Sequence, residues 1–511
     1  MNAQAAVQHN PAQAGEGGTF GSRENFMVVM VMILGVFVAI LNETLLNVAL
    51  TRIMNDIGIA PSTAQWLTTG YLLVIGVLIP MTAFLIRRFT TRTLFLSAMG
   101  LFTLGTLTAA VAPNFALLLS GRVLQAAGTG LLFPLLTNVV FALVPLRKRG
   151  AAMGTIGIVI TFAPAIGPTL SGLIVQHFSW RVLFYSVLPV ALFVVGFAYY
   201  KLKNVTETDR PSIDLTSLLL STLGFGGIVY GFSSAGGGHG GEAEAAGSSG
   251  WLSLAVLLPI AVGLVSLGLF AWRQARLSEP LLDLSTFRYA VFRKSVLIMM
   301  IVMMAMFSAM MLLPLFLQNA LGYTPLDAGL IMLPGGILMG IMSPINGRLF
   351  DRFGAKGLAV VGLALIGLAL WQFAYITLAT SYLLIMVMNT LLMLGISMVM
   401  MPVMTNALNE LPPALYAHGT AIISTLQQVS GAIGTALLVT VMSSRSAVYL
   451  EQSGSTDPQT QVQALIFGMK SAFLLAFGLV AVAWIASLLL RRAEAPASGG
   501  DGMPGQQAHA H

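Results

Sequence analysis

The chain has 511 residues, of which 57% are hydrophobic and only 8% are charged. Soluble globular proteins contain about 45–50% apolar residues, so this composition excludes that class and indicates a membrane protein. Cysteine is absent, which excludes disulfides and cysteine-ligated metals, and the formal net charge is +7.

Fourteen apolar segments follow one another along the chain. Each is long enough to cross a bilayer, which requires about 20 mostly apolar residues. Their approximate bounds are 26–50, 64–86, 94–112, 115–143, 151–176, 181–200, 213–234, 251–272, 292–318, 325–346, 357–378, 381–409, 416–443 and 464–490. They predict an all-α polytopic membrane protein with 14 transmembrane helices arranged as 6 + 2 + 6.

The polar stretches between these segments predict the domain organisation. We expect a disordered cytoplasmic N-terminus at 1–25, a six-helix bundle at 26–200, a linker with two inserted helices at 201–291, a second six-helix bundle at 292–490 and a disordered cytoplasmic tail at 491–511. The first apolar segment is too long for the core of a signal peptide, which spans about 7–15 residues, so we expect no cleavable signal peptide.

Basic residues are concentrated on one side of the predicted spans. Twenty of the 25 Lys and Arg residues fall on the side that an even number of spans assigns to both termini. The positive-inside rule predicts that this side is cytoplasmic and that the protein lies in the cell (inner) membrane. The positive charge therefore reflects topology, and we expect a lipid environment and no nucleic-acid partner.

Two isolated charges, Glu43 and Arg122, lie inside apolar segments. A charged side chain at the centre of a membrane helix costs about 2.5–3.5 kcal/mol or more, so it usually has a partner and a function. Each lies about seven residues from the predicted outer end of its segment, or roughly 10 Å at 1.5 Å per residue. This equal depth predicts that they meet directly or are coupled through one water. They predict either a structural ion pair or, the interpretation we favour, a site for protons and substrate.

Neutral polar side chains accompany these charges. Asn47 is four residues from Glu43 and Gln125 is three residues from Arg122, so each pair shares a helix face. Together with Asn42, they are predicted to complete a hydrogen-bond network around the charges.

Two loops on the basic side repeat one another. Residues 83–92 and 347–356 share Leu, Arg and Phe in register, and each follows the second span of its six-span half. Transporters are often built from such repeated halves, with the site at their interface near the middle of the membrane.

Four motifs in chain order carry a resemblance to a known family. Leu41–Leu50 is similar to l-D-x-T-i-v-N-v-A-l-P, with Asn42 at the usual Asp position and the carboxylate displaced to Glu43. Leu118–Gly128 is similar to l-x-x-g-R-x-x-Q-g-x-g, Ala163–Gly172 to G-x-x-x-G-P-x-x-G-G, and Gly347–Lys356 to G-x-L-a-D-r-x-G-r-k. The chain thus resembles the fourteen-span drug:proton antiporters of the major facilitator superfamily over residues 25–492.

The resemblance implies roles for two further groups of residues. Residues of the fifth span would form the antiporter-motif gate, namely Gly157, Pro164, Gly167, Pro168 and Gly172. Residues of the later repeated loop would form a cytoplasmic latch, namely Gly347, Asp351, Arg352 and Gly354.

The expected function is a secondary transporter that exports small hydrophobic or cationic toxic compounds in exchange for protons. It would have no cofactor or metal site, since the proton gradient drives it. The common nucleotide-binding and hydrolase motifs are absent from the sequence, so we expect no enzyme activity. A periplasmic adaptor would be a further partner if the host has an outer membrane. The alternative is a dedicated exporter of one endogenous metabolite, lipid-like molecule or siderophore.

Overall fold

The computed structural model describes residues 23–143, 162–164, 166–204, 214–234, 253–277, 280, 282–412, 415–454 and 457–490. These residues form α-helices with short connections, and they contain no strand. The helices are α1 (Arg23–Ile57), α2 (Pro61–Ala64), α3 (Trp66–Arg88), α4 (Thr91–Ala110), α5 (Phe115–Leu143), α6 (166–177), α7 (Arg181–Lys201), α8 (Leu215–Ser234), α9 (Leu254–Gln274), α10 (Ala290–Asn319), α11 (Pro325–Phe373), α12 (Tyr382–Asn409), α13 (Tyr416–Ser453) and α14 (Pro458–Leu488).

The described residues contain 13 helical stretches that are long and apolar enough to cross a membrane. They correspond to 13 of the 14 predicted spans, so the all-α polytopic fold is confirmed. Most of the predicted fifth span, 151–176, lies outside the described residues, and α6 belongs to its described part.

Helix α11 contains two of these stretches, Pro325–Phe350 and Arg352–Phe373. It begins at a capping box, in which the Thr324 hydroxyl accepts from the backbone N–H of Asp327 and the Asp327 carboxylate accepts from that of Thr324. Gly354 interrupts the helix with φ 73° and ψ 176°, a conformation that is essentially confined to glycine. The chain reverses at this point, so the two spans run in opposite directions.

The inserted helices α8 and α9 pack closely through small residues. A Cβ on Gly227 would lie 2.6 Å from the Pro259 carbonyl oxygen, and one on Gly263 would lie 2.8 Å from that of Gly224. Such contacts allow two backbones to approach, as in many membrane helix pairs. Helix α8 also packs against α3 and α13, with Phe225 in a cluster with Val77 and Val429.

A charged pair joins the two ends of this hairpin. The Arg273 guanidinium donates to both carboxylate oxygens of Asp214, at 2.9 and 3.1 Å, and the Ser217 hydroxyl also donates to this carboxylate. Desolvation raises the pKa of Asp214, but the hydrogen bonds from Arg273 and Ser217 outweigh it and hold this pKa below its usual value. The pair therefore stabilises the hairpin with an ionised carboxylate.

Several contacts between the halves α1–α7 and α10–α14 lie on the side opposite the basic side, which we define by Arg88, Lys201, Arg293 and Arg352. Near the end of α10, the Gln318 amide donates to the Val48 carbonyl at 3.0 Å. These contacts close the molecule on the side opposite the basic side.

Candidate functional site

Arg122 is the centre of a buried polar network on α5. Its side chain is 1% exposed, and its Nη1 donates to Gln125 Oε1 at 2.9 Å. Its Nε donates to the Leu67 carbonyl of α3 at 3.2 Å, and the Gln125 amide donates to Thr106 Oγ1 of α4 at 2.8 Å. Three helices thus share one hydrogen-bonded network, and the predicted pairing of Arg122 with Gln125 is present.

An aromatic ring provides a further contact for this guanidinium. Arg122 Cζ lies 4.0 Å from the centroid of the Tyr71 ring, a cation–π arrangement in a fully buried setting. The Tyr71 hydroxyl donates to Thr129 Oγ1 at 2.9 Å. Tyr71 lies in none of the four sequence motifs. Its signal in the sequence is a hydroxyl inside an apolar segment, which requires a hydrogen-bond partner.

Glu43 lies close enough to Arg122 and Tyr71 to interact with both electrostatically. Among the side chains that the structure describes, however, Glu43 and Arg122 form no direct ion pair, unlike Arg181 and Asp56 at 3.0 Å. The two charges therefore do not meet directly in this conformation, and their coupling through one water stays a prediction. Helix α1 continues to Ile57, so Glu43 lies fourteen residues, or about 21 Å, from the end of its helix rather than seven.

The exposure of the two charges differs. Glu43 is half-buried, whereas Arg122 is fully enclosed. Desolvation and a nearby positive charge act in opposite directions on a carboxyl group. Glu43 thus retains access for a ligand, while Arg122 is held in place.

The two asparagines of α1 lie beside Glu43 but outside the Arg122 network. Asn42 is 2% exposed and Asn47 is 5% exposed. In the described part of the chain, the Asn42 Nδ2 and Asn47 Oδ1 atoms have no hydrogen-bond partner. A buried polar atom without a partner costs about 1–3 kcal/mol, so both are suited to bind water or substrate.

The described residues of the predicted gate make close contacts. A Cβ on Gly167 would overlap Thr44 Oγ1, within the first half, and one on Gly172 would overlap the Pro325 carbonyl oxygen, across the halves. A Cβ on Gly329 would lie 2.6 Å from the Pro168 carbonyl oxygen. Pro164 is half-buried. Gly157 lies outside the described residues.

The predicted latch is described only in part. Gly354 turns the chain, Gly347 is exposed, and the Arg352 guanidinium lies 5.3 Å from the Phe353 ring centroid. The side chain of Asp351 lies outside the described part of the structure, so the latch stays a prediction. A search of the described residues for clusters of His, Cys, Asp and Glu that could hold a metal ion found none.

The sequence of this chain matches the family model of the Major Facilitator Superfamily over residues 32–435. The chain belongs to the major facilitator superfamily. It is therefore a multi-pass membrane transporter and not an enzyme.

Relatives within the superfamily include drug-resistance proteins. The lincomycin resistance protein LmrB of Listeria monocytogenes is 45% identical over 458 residues, which cover 90% of this chain and 95% of that protein. The multidrug resistance protein B homolog of Mycobacterium tuberculosis is 31% identical over 80% of this chain and 74% of its own length.

Solved structures support the fold. The crystal structure of a bacterial homolog of the human lysosomal transporter Spinster superposes with a TM-score of 0.66 at 14% identity, covering 92% of this chain and 97% of that one. At this identity the likeness concerns the major facilitator fold alone.

Proposed function

We propose that this transporter exports hydrophobic or cationic toxic compounds, among them lincosamide antibiotics, in exchange for protons by alternating access. The basic side is cytoplasmic in this proposal, and both termini lie there. The substrate class is supported by the names of the relatives, and the proton coupling by the charges inside the spans.

One observation carries the proposal: a half-buried carboxyl group, Glu43, lies within electrostatic range of a guanidinium fixed by three helices. A carboxyl group that either binds a proton or faces a cation can serve the two ligands alternately. Because the ligands compete for one group, loading of one requires release of the other. That competition is sufficient for exchange when only occupied states change conformation.

The conformation of the described residues fits one stage of this cycle. The halves meet on the side opposite the basic side, through α1 with α10 and α6 with α11. With the basic side cytoplasmic, this arrangement is closed to the outside. Glu43 would then exchange its proton for substrate from the cytoplasmic side.

Transport by purified protein in liposomes tests the proposal. We expect uptake of ethidium and of lincomycin when the vesicle interior is acidic, and loss of uphill uptake when an ionophore collapses the pH gradient. Liposomes without protein are the control for passive entry. Uptake that does not depend on the pH gradient would contradict proton coupling. Uptake of only one of many unrelated compounds would favour a dedicated exporter.

A further inference from the structure

Tyr71 occupies a position between the charged site and the interface of the two halves. It lies on α3 and is fully buried. Its ring is stacked on Arg122 of α5, as described above, and it also belongs to an apolar cluster with Ala432 of α13, Val229 of α8 and the partly buried Phe307 of α10. Tyr71 thus contacts the guanidinium of the first half and belongs to an apolar cluster that extends into the second half.

The charged groups that act on Tyr71 come from two helices. Its hydroxyl interacts electrostatically with Glu43 of α1 and Arg122 of α5, and it donates a hydrogen bond to Thr129. Val229 of α8, Phe307 of α10 and Ala432 of α13 belong to the same apolar cluster as Tyr71. The two charges that act on Tyr71 thus come from the first half, and its apolar cluster extends into the second half.

Helices α3 and α13 approach each other closely at Gly76. A Cβ on Gly76 of α3 would lie 2.7 Å from Val429 Cγ2 and 3.6 Å from the Thr425 carbonyl of α13, so the helices touch closely there. Packed interfaces change between discrete arrangements rather than deforming continuously. Tyr71 lies five residues before Gly76 and on a different face of α3, so any effect of its ring on this contact passes through the apolar cluster that α3 shares with α13.

We propose that Tyr71 is a positioning residue that couples the charge state of the Glu43–Arg122 site to the contact between α3 and α13. Protonation of Glu43 removes the negative charge that balances Arg122, and the guanidinium then depends more on the Tyr71 ring and its hydrogen bonds. The resulting shift of the ring alters the packing against α13. This inference rests on the proposed proton coupling and names the residue that transmits it.

Distances between spin labels test the inference. The chain lacks cysteine, so Val111→Cys and Leu378→Cys place labels at two exposed sites, one in each half, without further changes. Both sites lie opposite the basic side, where the halves separate when that side opens. The distance distribution is measured in nanodiscs across a range of pH, alongside ethidium affinity.

We expect the distance distribution of the wild-type protein to change with pH. Tyr71→Phe keeps the stacked ring and should show the same change. Tyr71→Leu removes the ring and should reduce the pH-dependent change to less than half. Tyr71→Met provides a second ring-free variant if the leucine variant folds poorly. Phe102→Leu is the matched control, because it removes a fully buried ring of α4 that has no stacking contact with Arg122.

The outcomes distinguish a failure of this inference from a failure of the proposed function. A merely structural role would shift the Tyr71→Leu distribution equally at every pH and leave its pH response intact, which would overturn this inference alone. The proposed function would be overturned, and this inference with it, if the label distances of the wild-type protein did not depend on pH and its transport did not depend on the pH gradient.

Discussion

The guanidinium of Arg122 is stacked on the ring of Tyr71 at 4.0 Å and is not paired directly with Glu43. A direct ion pair would hold the carboxylate in one state, whereas electrostatic contact over a longer distance leaves it free to exchange ligands. The proposed cycle therefore assigns the two residues different roles. In it, Arg122 maintains the local charge and Glu43 binds the exchanging ligands.

Replacement of Arg122 by lysine tests the importance of its geometry. Lysine keeps the charge but cannot bond Leu67 and Gln125 while stacking on Tyr71. Hydrogen bonds to charged groups contribute about 1.5–3 kcal/mol each, so we expect transport to fall about tenfold or more. The measurement is the initial rate of gradient-driven ethidium uptake. Arg276→Lys, at an exposed position, is the control, and equal rates for both variants would contradict the network's role.

Gly172→Ala tests the closure between α6 and α11. The Cβ of the alanine would overlap the Pro325 carbonyl oxygen and would lie 2.9 Å from Leu326 Cα. Overpacking of this kind costs about 1–3 kcal/mol. The population should therefore shift at least about fivefold toward the conformation that is open on this side. Spin-label distances across that side measure the shift. Gly196→Ala, which meets nothing within 4 Å, should leave the distribution unchanged, and an unchanged Gly172→Ala would argue against close contact.

Gly354→Ala tests the turn between the two spans of α11. At φ 73° and ψ 176°, a side chain costs about 1–3 kcal/mol. We expect the Gly354→Ala protein to unfold at a lower temperature than the wild type in detergent. Tryptophan fluorescence measures this unfolding. Gly357→Ala, three residues further in open helical surroundings, should be neutral or slightly stabilising. Equal unfolding temperatures for the two variants would show that the turn does not require glycine.

Asp214→Asn tests the charged pair of the inserted hairpin. The pKa of Asp214 in the folded protein lies below its ordinary value, since the hydrogen bonds from Arg273 and Ser217 outweigh the desolvation that raises it. The stabilisation is therefore complete above the unfolded pKa of about 4 and is lost as pH falls through the lowered folded pKa. At pH 7 we expect a loss in the free energy of unfolding of about 0.2–1 kcal/mol, because solvent screens a pair whose arginine side chain is 36% exposed. Exposed Glu451→Gln is the control. A stability difference that persists far below pH 4 would exclude this linkage.

The membrane architecture could be predicted from the sequence because hydropathy over about 20 residues determines which segments cross a bilayer. The contact of Arg122 with Gln125 also follows from their three-residue spacing on one helix. The end of α1 could not be located this way. Residues 51–57 are more polar than the preceding segment, yet backbone hydrogen bonds continue the helix to Ile57.

Contacts between distant helices were less predictable. Tyr71 is separated from Arg122 by 51 positions, and no helical periodicity relates α3 to α5. The distance between Glu43 and Arg122 depends on how α1 and α5 are inclined, which the sequence pattern does not specify. Equal separation from the predicted ends of two segments was therefore insufficient to place the two charges in contact.

The most direct test of the account is the behaviour of Glu43→Gln in liposomes, measured as gradient-driven uptake and as substrate exchange without a gradient. Glutamine keeps the size of the side chain but cannot bind or release a proton at working pH. The account predicts that uphill uptake is abolished while the folded yield is retained, and that Glu43→Asp keeps part of the activity. Gradient-driven uphill uptake by Glu43→Gln at the wild-type rate would contradict the central role of Glu43.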